Sequence, residues 1–243
     1  MTSYGPLARF YDDLTTDVPY DEFIDFYIRT FAERGREVRT VLDLACGTGT
    51  LTCMMARRGY EMIGADGSAE MLSAAADKAE RLEDCVKPLL LCQSMEELDL
   101  YGTVEAAVCS LDGFNYLPEE DIPEVLSRLK LFIEPGGVLI FDVNSPERLR
   151  SLDGEVFVDE TEDVLCLWRA EFDPEENLLF YGMDIFTREG EMWSRDEEEH
   201  IEYAHSIDML TERLSEAGFG DIEVRTDGPQ HEQGRVFIIS QRQ

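Results

Sequence analysis

Two rhythms of apolar residues alternate along the first part of the chain. Phe23, Phe26 and Tyr27 recur at helical spacing within residues 21–34, and short apolar runs follow between later helical stretches. The pattern predicts strands over 40–45, 62–65, 88–92, 104–110 and 138–143, with helices over 51–58, 68–82 and 119–132. Pro135-Gly136-Gly137 reads as the turn into the fifth strand. Strands alternating with helices specify an α/β fold with a mostly parallel, doubly wound sheet.

Beyond Asn144 the rhythm changes. Apolar and polar residues alternate over 157–161, 164–172, 178–187 and 191–203, which fits three or four antiparallel strands. Breaks fall at Asp173-Pro174-Glu175-Glu176-Asn177 and Arg188-Glu189-Gly190-Glu191. Helical spacing returns over 207–217, closed by Gly218, and two short strands over 222–225 and 235–240 follow. Residues 150–204 are therefore expected to be an inserted antiparallel β subdomain, either a lid over an active site or a dimer surface. Residues 1–149 and 205–243 make up the main domain.

The densest chemistry lies in Val41-Leu42-Asp43-Leu44-Ala45-Cys46-Gly47-Thr48-Gly49-Thr50-Leu51-Thr52. A buried strand leads into a glycine turn and then a helix, and glycines 47 and 49 let a ligand lie against the backbone. That is a nucleotide-type site at the carboxyl end of a first strand. A dinucleotide fingerprint would need a third glycine where Thr52 stands. A pyrophosphate also favours a helix N-terminus free of negative charge, whereas Asp43 puts a carboxylate near it. A cationic, phosphate-free ligand such as S-adenosylmethionine suits that carboxylate better. At the next strand end Asp66 can accept hydrogen bonds from a ribose hydroxyl pair, or merely cap the helix that Ser68 begins.

Leu42 to Gly49 resembles, without a gap, the first motif hhDhxxGxGxh of the class I S-adenosylmethionine-dependent methyltransferases. Asp66-Gly67-Ser68-Ala69-Glu70-Met71-Leu72 resembles their second, an acid followed by xSxxML. The resemblance implies a Rossmann-like sheet of seven strands, mostly parallel with an antiparallel C-terminal hairpin, plus the small antiparallel β insertion. It implies cofactor contacts from Asp43, Ala45, Cys46, Gly47, Thr48, Gly49, Asp66, Gly67 and Met71. Ser94 and Met95, ending the third strand, take the place where similar enzymes hold adenine. Ser110, Leu111 or Asp112, ending the fourth, would meet the methionine part, with Asn115 and Tyr116 facing substrate. Packing above the sheet is the plainer role for Phe114, Tyr116 and Leu117.

Ala8-Arg9-Phe10-Tyr11-Asp12-Asp13-Leu14 and Asp17-Val18-Pro19-Tyr20-Asp21-Glu22-Phe23 resemble a bacterial branch of these enzymes with a YDxLxxDVPYxxW leader, Phe23 replacing the usual Trp. Such a leader folds over the cofactor, which makes Tyr11 and Tyr20 candidate contacts and Arg9 a partner for the cofactor carboxylate. The expected reaction is in-line methyl transfer to a small-molecule acceptor, the protein orienting the nucleophile and excluding water. A general base is needed only if the acceptor must lose a proton. His200, His205 and Tyr116 are the candidates for one, although Glu198, Glu199 and Glu202 are expected to raise the imidazoles rather than prime them. Two other readings stay open: a cofactor-binding regulatory or assembly protein without catalysis, and an NAD-dependent oxidoreductase.

Composition narrows the partners. Among 243 residues, 21 basic against 53 acidic side chains give a formal charge of −32, which repels polyanions and disfavours nucleic acid. No apolar run reaches the roughly 18 residues of a membrane span, and no signal peptide is expected. Six cysteines without a CxxC pair point to reduced thiols in a cytoplasmic protein. The three histidines show no metal-ligand spacing with a cysteine, so no metal is expected, and the chain is read as a monomer or homodimer.

Overall fold

The computed structural model describes residues 5–243 of the chain. Five strands, β1 (Thr40–Leu44), β2 (Glu61–Asp66), β3 (Leu89–Cys92), β4 (Val104–Cys109) and β5 (Ile133–Asn144), pair in parallel. Among the described residues, seven α-helices accompany the strands: α1 (Tyr11–Leu14), α2 (Tyr20–Glu33), α3 (Thr50–Arg57), α4 (Ala69–Glu80), α5 (Ile122–Phe132), α6 (Pro146–Ser151) and α7 (Ile207–Ala217). A separate four-stranded antiparallel sheet contains β6 (Val156–Glu160), β7 (Val164–Asp173), β8 (Leu178–Glu189) and β9 (Met192–Tyr203). Finally β10 (Phe219–Arg225) and β11 (Arg235–Arg242) pair antiparallel, completing a main sheet of order β10-β11-β5-β4-β1-β2-β3.

Side-chain alternation along the strands divides the core. Val41, Ala106, Val108, Ile140 and Phe237 pack with the apolar faces of α2 and α3. Leu42, Leu44, Ala107, Leu139 and Phe141 pack on the other face with α5 and α7. Strand order reverses between β1 and β4, so the crevice for a ligand opens at their carboxyl ends. The second sheet closes over that end. Its Val164, Cys166, Met183 and Ile185 enclose Leu7 and Phe10 of the leader, while Leu149 of α6 and Leu152 just after it pack against Ala170 and Leu179.

Several elements differ from the sequence expectation: α5 starts at Ile122 instead of 119, and β10 at Phe219 instead of 222. The β5 ladder starts at Ile133 instead of 138, because Ile133 already pairs with Val104 before residues 134–137 bulge opposite Glu105. The α6 helix was missed in the loop after β5, although Ser145 caps it through the Arg148 amide and Pro146 sits in its first turn. Among the described residues, no helix is long and apolar enough to cross a membrane.

A buried ion pair ties the sheet's centre to its antiparallel edge. The Asp142 side chain on β5 has no exposed surface, and it accepts a hydrogen bond from Arg235 on β11. Its two oxygens also accept the Leu111 and Asp112 amides, each at 3.0 Å. Removing the carboxylate would take one of two carboxylate partners from the buried Arg235 guanidinium and leave two backbone donors unpaired. Asp142→Ala is therefore expected to cost about 3–5 kcal/mol, read as a lowered midpoint in urea unfolding; an unchanged midpoint would refute this account.

Candidate functional site

A cavity of about 390 Å³ lies at the reversal point, against the carboxyl ends of β1 to β4. Asp43, Ala45, Cys46, Gly47 and Thr48 from the first turn line it, with Asp66, Gly67 and Met71 from the second. Ser94 and Met95 after β3, Ser110 and Leu111 after β4, Tyr116, and the leader's Tyr11 and Tyr20 complete the expected part of the wall. Gly47 has φ +54°, a left-handed conformation natural to glycine, and a Cβ there would meet no protein atom within 4 Å.

Hydrogen bonds fix the polar members. Asp66 accepts the Gly47 amide on one oxygen and the Ser68 amide on the other, both at 2.8 Å. Further lone pairs remain on each oxygen. Thr52, standing where a dinucleotide turn has glycine, donates its hydroxyl to Asp43. Tyr27 and Ser110 share a hydroxyl hydrogen bond of 2.8 Å, which orients the serine after β4. Above the turn, Asp12 of α1 accepts from the Thr48 hydroxyl at 2.6 Å and pairs with Lys78 of α4 at 2.6 Å. Ala45, Leu111 and Asp112 all hold positive φ, so backbone strain gathers around this cavity.

Several expected residues lie elsewhere. Gly49 is off the wall: it caps α3, and a Cβ on it would come within 2.8 Å of the Ala75 side chain, so helix packing also demands glycine there. Asp112 pairs with Arg235 at 2.8 Å, and the Asn115 amide binds the Asn144 and Tyr203 carbonyls behind the wall. Arg9 is exposed, its guanidinium over the Phe10 ring at 5.1 Å. His205 is buried with Nε2 on the Leu117 carbonyl at 2.9 Å, and burial pushes its imidazole down, against the expected rise from acidic neighbours. His200 is buried behind Tyr116, its Nδ1 at 3.4 Å from the phenol oxygen.

Sequence reasoning overlooked Thr50, Leu51, Ser68, Gln93, Glu96, Gly113 and Leu117 on the wall. Thr50 and Leu51 directly follow the glycine turn and Gln93 directly precedes Ser94, so adjacency to the motifs was the available signal. Glu96 carried none.

Comparison with known proteins decides the family. A model of the methyltransferase domain matches residues 41–137. YqeM of Bacillus subtilis (strain 168), which is named as a methyltransferase, is 30% identical over 98% of this chain and 97% of its own. A glycine/sarcosine N-methyltransferase of Parasynechococcus marenigrum (strain WH8102) is 30% identical over 62% of this chain and 53% of its own. The crystal structure of an S-adenosylmethionine-dependent methyltransferase from Clostridium acetobutylicum ATCC 824 superposes with a TM-score of 0.81, at 27% identity and 99% coverage of both chains. The chain belongs to the class I S-adenosylmethionine-dependent methyltransferases.

The cavity of this methyltransferase has the chemistry its cofactor requires. Its wall holds the carboxylates Asp43, Asp66 and Glu96 and, among the described residues, no lysine, arginine or histidine. Such a wall attracts a sulfonium and an ammonium group and repels a pyrophosphate. Burial pushes the Asp43 carboxyl up to about 7, against the Thr52 hydrogen bond that lowers it. Burial also raises Asp66, opposed by the Ser68 and Gly47 amides. Because Asp43 titrates higher in the folded chain than in the unfolded one, folding takes up a proton between about pH 4 and 7. Its contribution thus destabilises the ligand-free protein as pH rises through that window. Asp43→Asn is expected to flatten this part of the stability–pH curve, measured by urea unfolding at pH 4.5 and 7.5; an equal slope in both proteins would refute the assignment.

Proposed function

We propose that this methyltransferase acts on a small-molecule acceptor by in-line displacement. The observation carrying this reading is the double cover over the cavity. The leader is pinned across the first turn through Asp12, and the second sheet packs over the leader through Leu7 and Phe10. A covered pocket of this size suits a small acceptor, and the strong negative charge opposes polyanions. The partial relative named for glycine and sarcosine is in keeping with a small amine acceptor.

Bound S-adenosylmethionine supplies a methyl carbon activated by its sulfonium. In this proposal Asp66 accepts both ribose hydroxyls with its outward lone pairs, which the Gly47 and Ser68 amides aim at the cavity. Asp43 offsets positive charge near the methionine part, while Ser94 and Met95 take the adenine and Leu111 and Ser110 bound the methyl end. Tyr11 and Tyr20 close the cavity from the leader and keep water out. The β6–β9 sheet acts as the lid that holds the leader down.

Isothermal titration with S-adenosylmethionine and NAD tests the assignment. Binding of the first and not the second is expected. Asp66→Ala should lose affinity by about 10²-fold or more, since each hydrogen bond to a charged group is worth about 1.5–3 kcal/mol. Unchanged affinity in Asp66→Ala would sink the ribose role.

A further inference from the structure

The second sheet departs from the pattern of an antiparallel sheet with one wet face. Strands of such a sheet alternate apolar inward with polar outward, whereas strands covered on both faces read as unbroken apolar runs. Residues 156–158 of β6, 164–168 of β7 and 178–181 of β8 are unbroken runs of apolar and aromatic side chains. Their inward members include Val164 and Cys166, which cover the leader. Their outward members are left open. Val156 and Val158 are 58% and 57% exposed, Phe180 and Trp193 41% and 49%. The ladder sets Val158 beside Leu167, Leu165 beside Phe186, and Phe180 beside Ile201, all on the outer face. Seven of the twelve large apolar side chains exposed among the described residues belong to this sheet, so the patch is not a random scatter.

The same face carries charge of both signs. Arg169 and Arg195 converge on Asp184, Arg195 through Nε at 2.8 Å, and both arginine side chains stay half exposed. Arg169 lies across Gly182, its guanidinium 3.7 Å from where a Cβ would stand, so a larger side chain at 182 would lift it off the sheet. Each guanidinium has five N–H donors, of which Asp184 takes only some. Glu199 pairs across the ladder with Gly182 and Glu171 with Phe180, and neither carboxylate has an ion pair among the described residues.

We infer that this outer face is a homodimer interface, in which two copies of the chain pack their second sheets face to face. A two-fold interface brings one patch against itself, so it needs cations and unpaired acids together on an apolar ground, which this face has. A two-fold axis along the strands, between β7 and β8, lays each β6 over the other copy's β9. Arg169 then comes within about one strand spacing of the other copy's Glu199. A face four strands wide and about ten residues long offers roughly 600 Å² on each copy, and two such faces reach the ~1,200 Å² at which specific interfaces begin. With the leader inside and a second copy outside, the sheet has both faces covered, as its apolar runs require. Pairing of this kind is independent of which acceptor is methylated.

Charge sets the salt dependence. Two chains of formal charge −32 repel at long range, and salt at about 0.1 M screens that repulsion beyond about 10 Å. An apolar interface between them tightens as salt rises, whereas docking through charge alone loosens.

Sedimentation velocity of the full chain reads the outcome. In about 0.5 M sodium chloride and at tens of micromolar protein, a particle of twice 27.7 kDa is expected, with a larger share of single chains at about 0.05 M. Val158→Glu combined with Phe180→Glu should raise the dissociation constant by about 10²-fold or more. Leu131→Glu, as exposed as Val158 but on α5, should leave it unchanged. Far-ultraviolet circular dichroism checks that each variant keeps its fold, and Val158→Glu alone serves if the combined variant does not. A wild type that stays a single chain at high salt overturns the interface. So does a dimer that survives the Val158 and Phe180 changes, that Leu131→Glu breaks equally, or that dissociates as salt is raised.

Discussion

The buried pair between Arg235 and Asp142 is the constraint on which the site's geometry depends. Asp142 binds the amides of Leu111 and Asp112, two consecutive residues in left-handed backbone conformation that no glycine relieves. Arg235 binds Asp142 and Asp112 together, so one guanidinium bridges the acid on β5 to the acid after β4. Burial raises the Asp142 carboxyl, and the adjacent guanidinium acts in the opposite direction. The strain at 111–112 turns the chain over the cavity, putting Ser110 and Leu111 on its wall and leading to Tyr116. A loop without that anchor would relax toward ordinary backbone angles and lose the wall.

The cover over the cavity depends on polar contacts from two sides. On one, Asp12 of the leader reaches the Thr48 hydroxyl and the Lys78 ammonium, binding α1 to the first turn and to α4. On the other, Glu198 of the second sheet accepts the Leu7 amide. These polar contacts sit at the margins of an apolar patch of Leu7, Phe10, Val164, Cys166, Met183 and Ile185. The apolar patch supplies most of the binding, and the charged contacts select its register. The Asp12–Lys78 pair is partly exposed and therefore worth little by itself.

Much of the main sheet was legible because its signals are local. Strand runs, the glycine turn after Asp43 and the Ser68 cap each occupy a few consecutive residues, and burial period alone separates helix from strand there. The positions of Asp43 and Asp66 on the cavity wall were readable for the same reason, since each follows a locally patterned strand. Gly49 shows where this reasoning stops. Its residue type announces freedom from a Cβ, but a ligand and the neighbouring helix α4 demand that freedom equally, and only Ala75 at 2.8 Å tells them apart. Arg9 shows the same limit, since a cation near a tyrosine motif says nothing about which way a leader turns.

By itself, then, the sequence determined the order of the main-sheet strands and the acidic glycine turn that lines the cavity. Those properties depend on neighbours a few residues away, where hydrogen-bond reach and side-chain period leave little choice. The tertiary structure alone decided that Arg235 meets Asp142, 93 residues earlier in the chain, and that Tyr116 meets His200, 84 residues later. It also decided that the second sheet faces the leader. Such contacts arise from how two sheets and a leader pack, and packing optimises buried area and paired charge over the whole molecule at once, leaving no trace in any short stretch of residues.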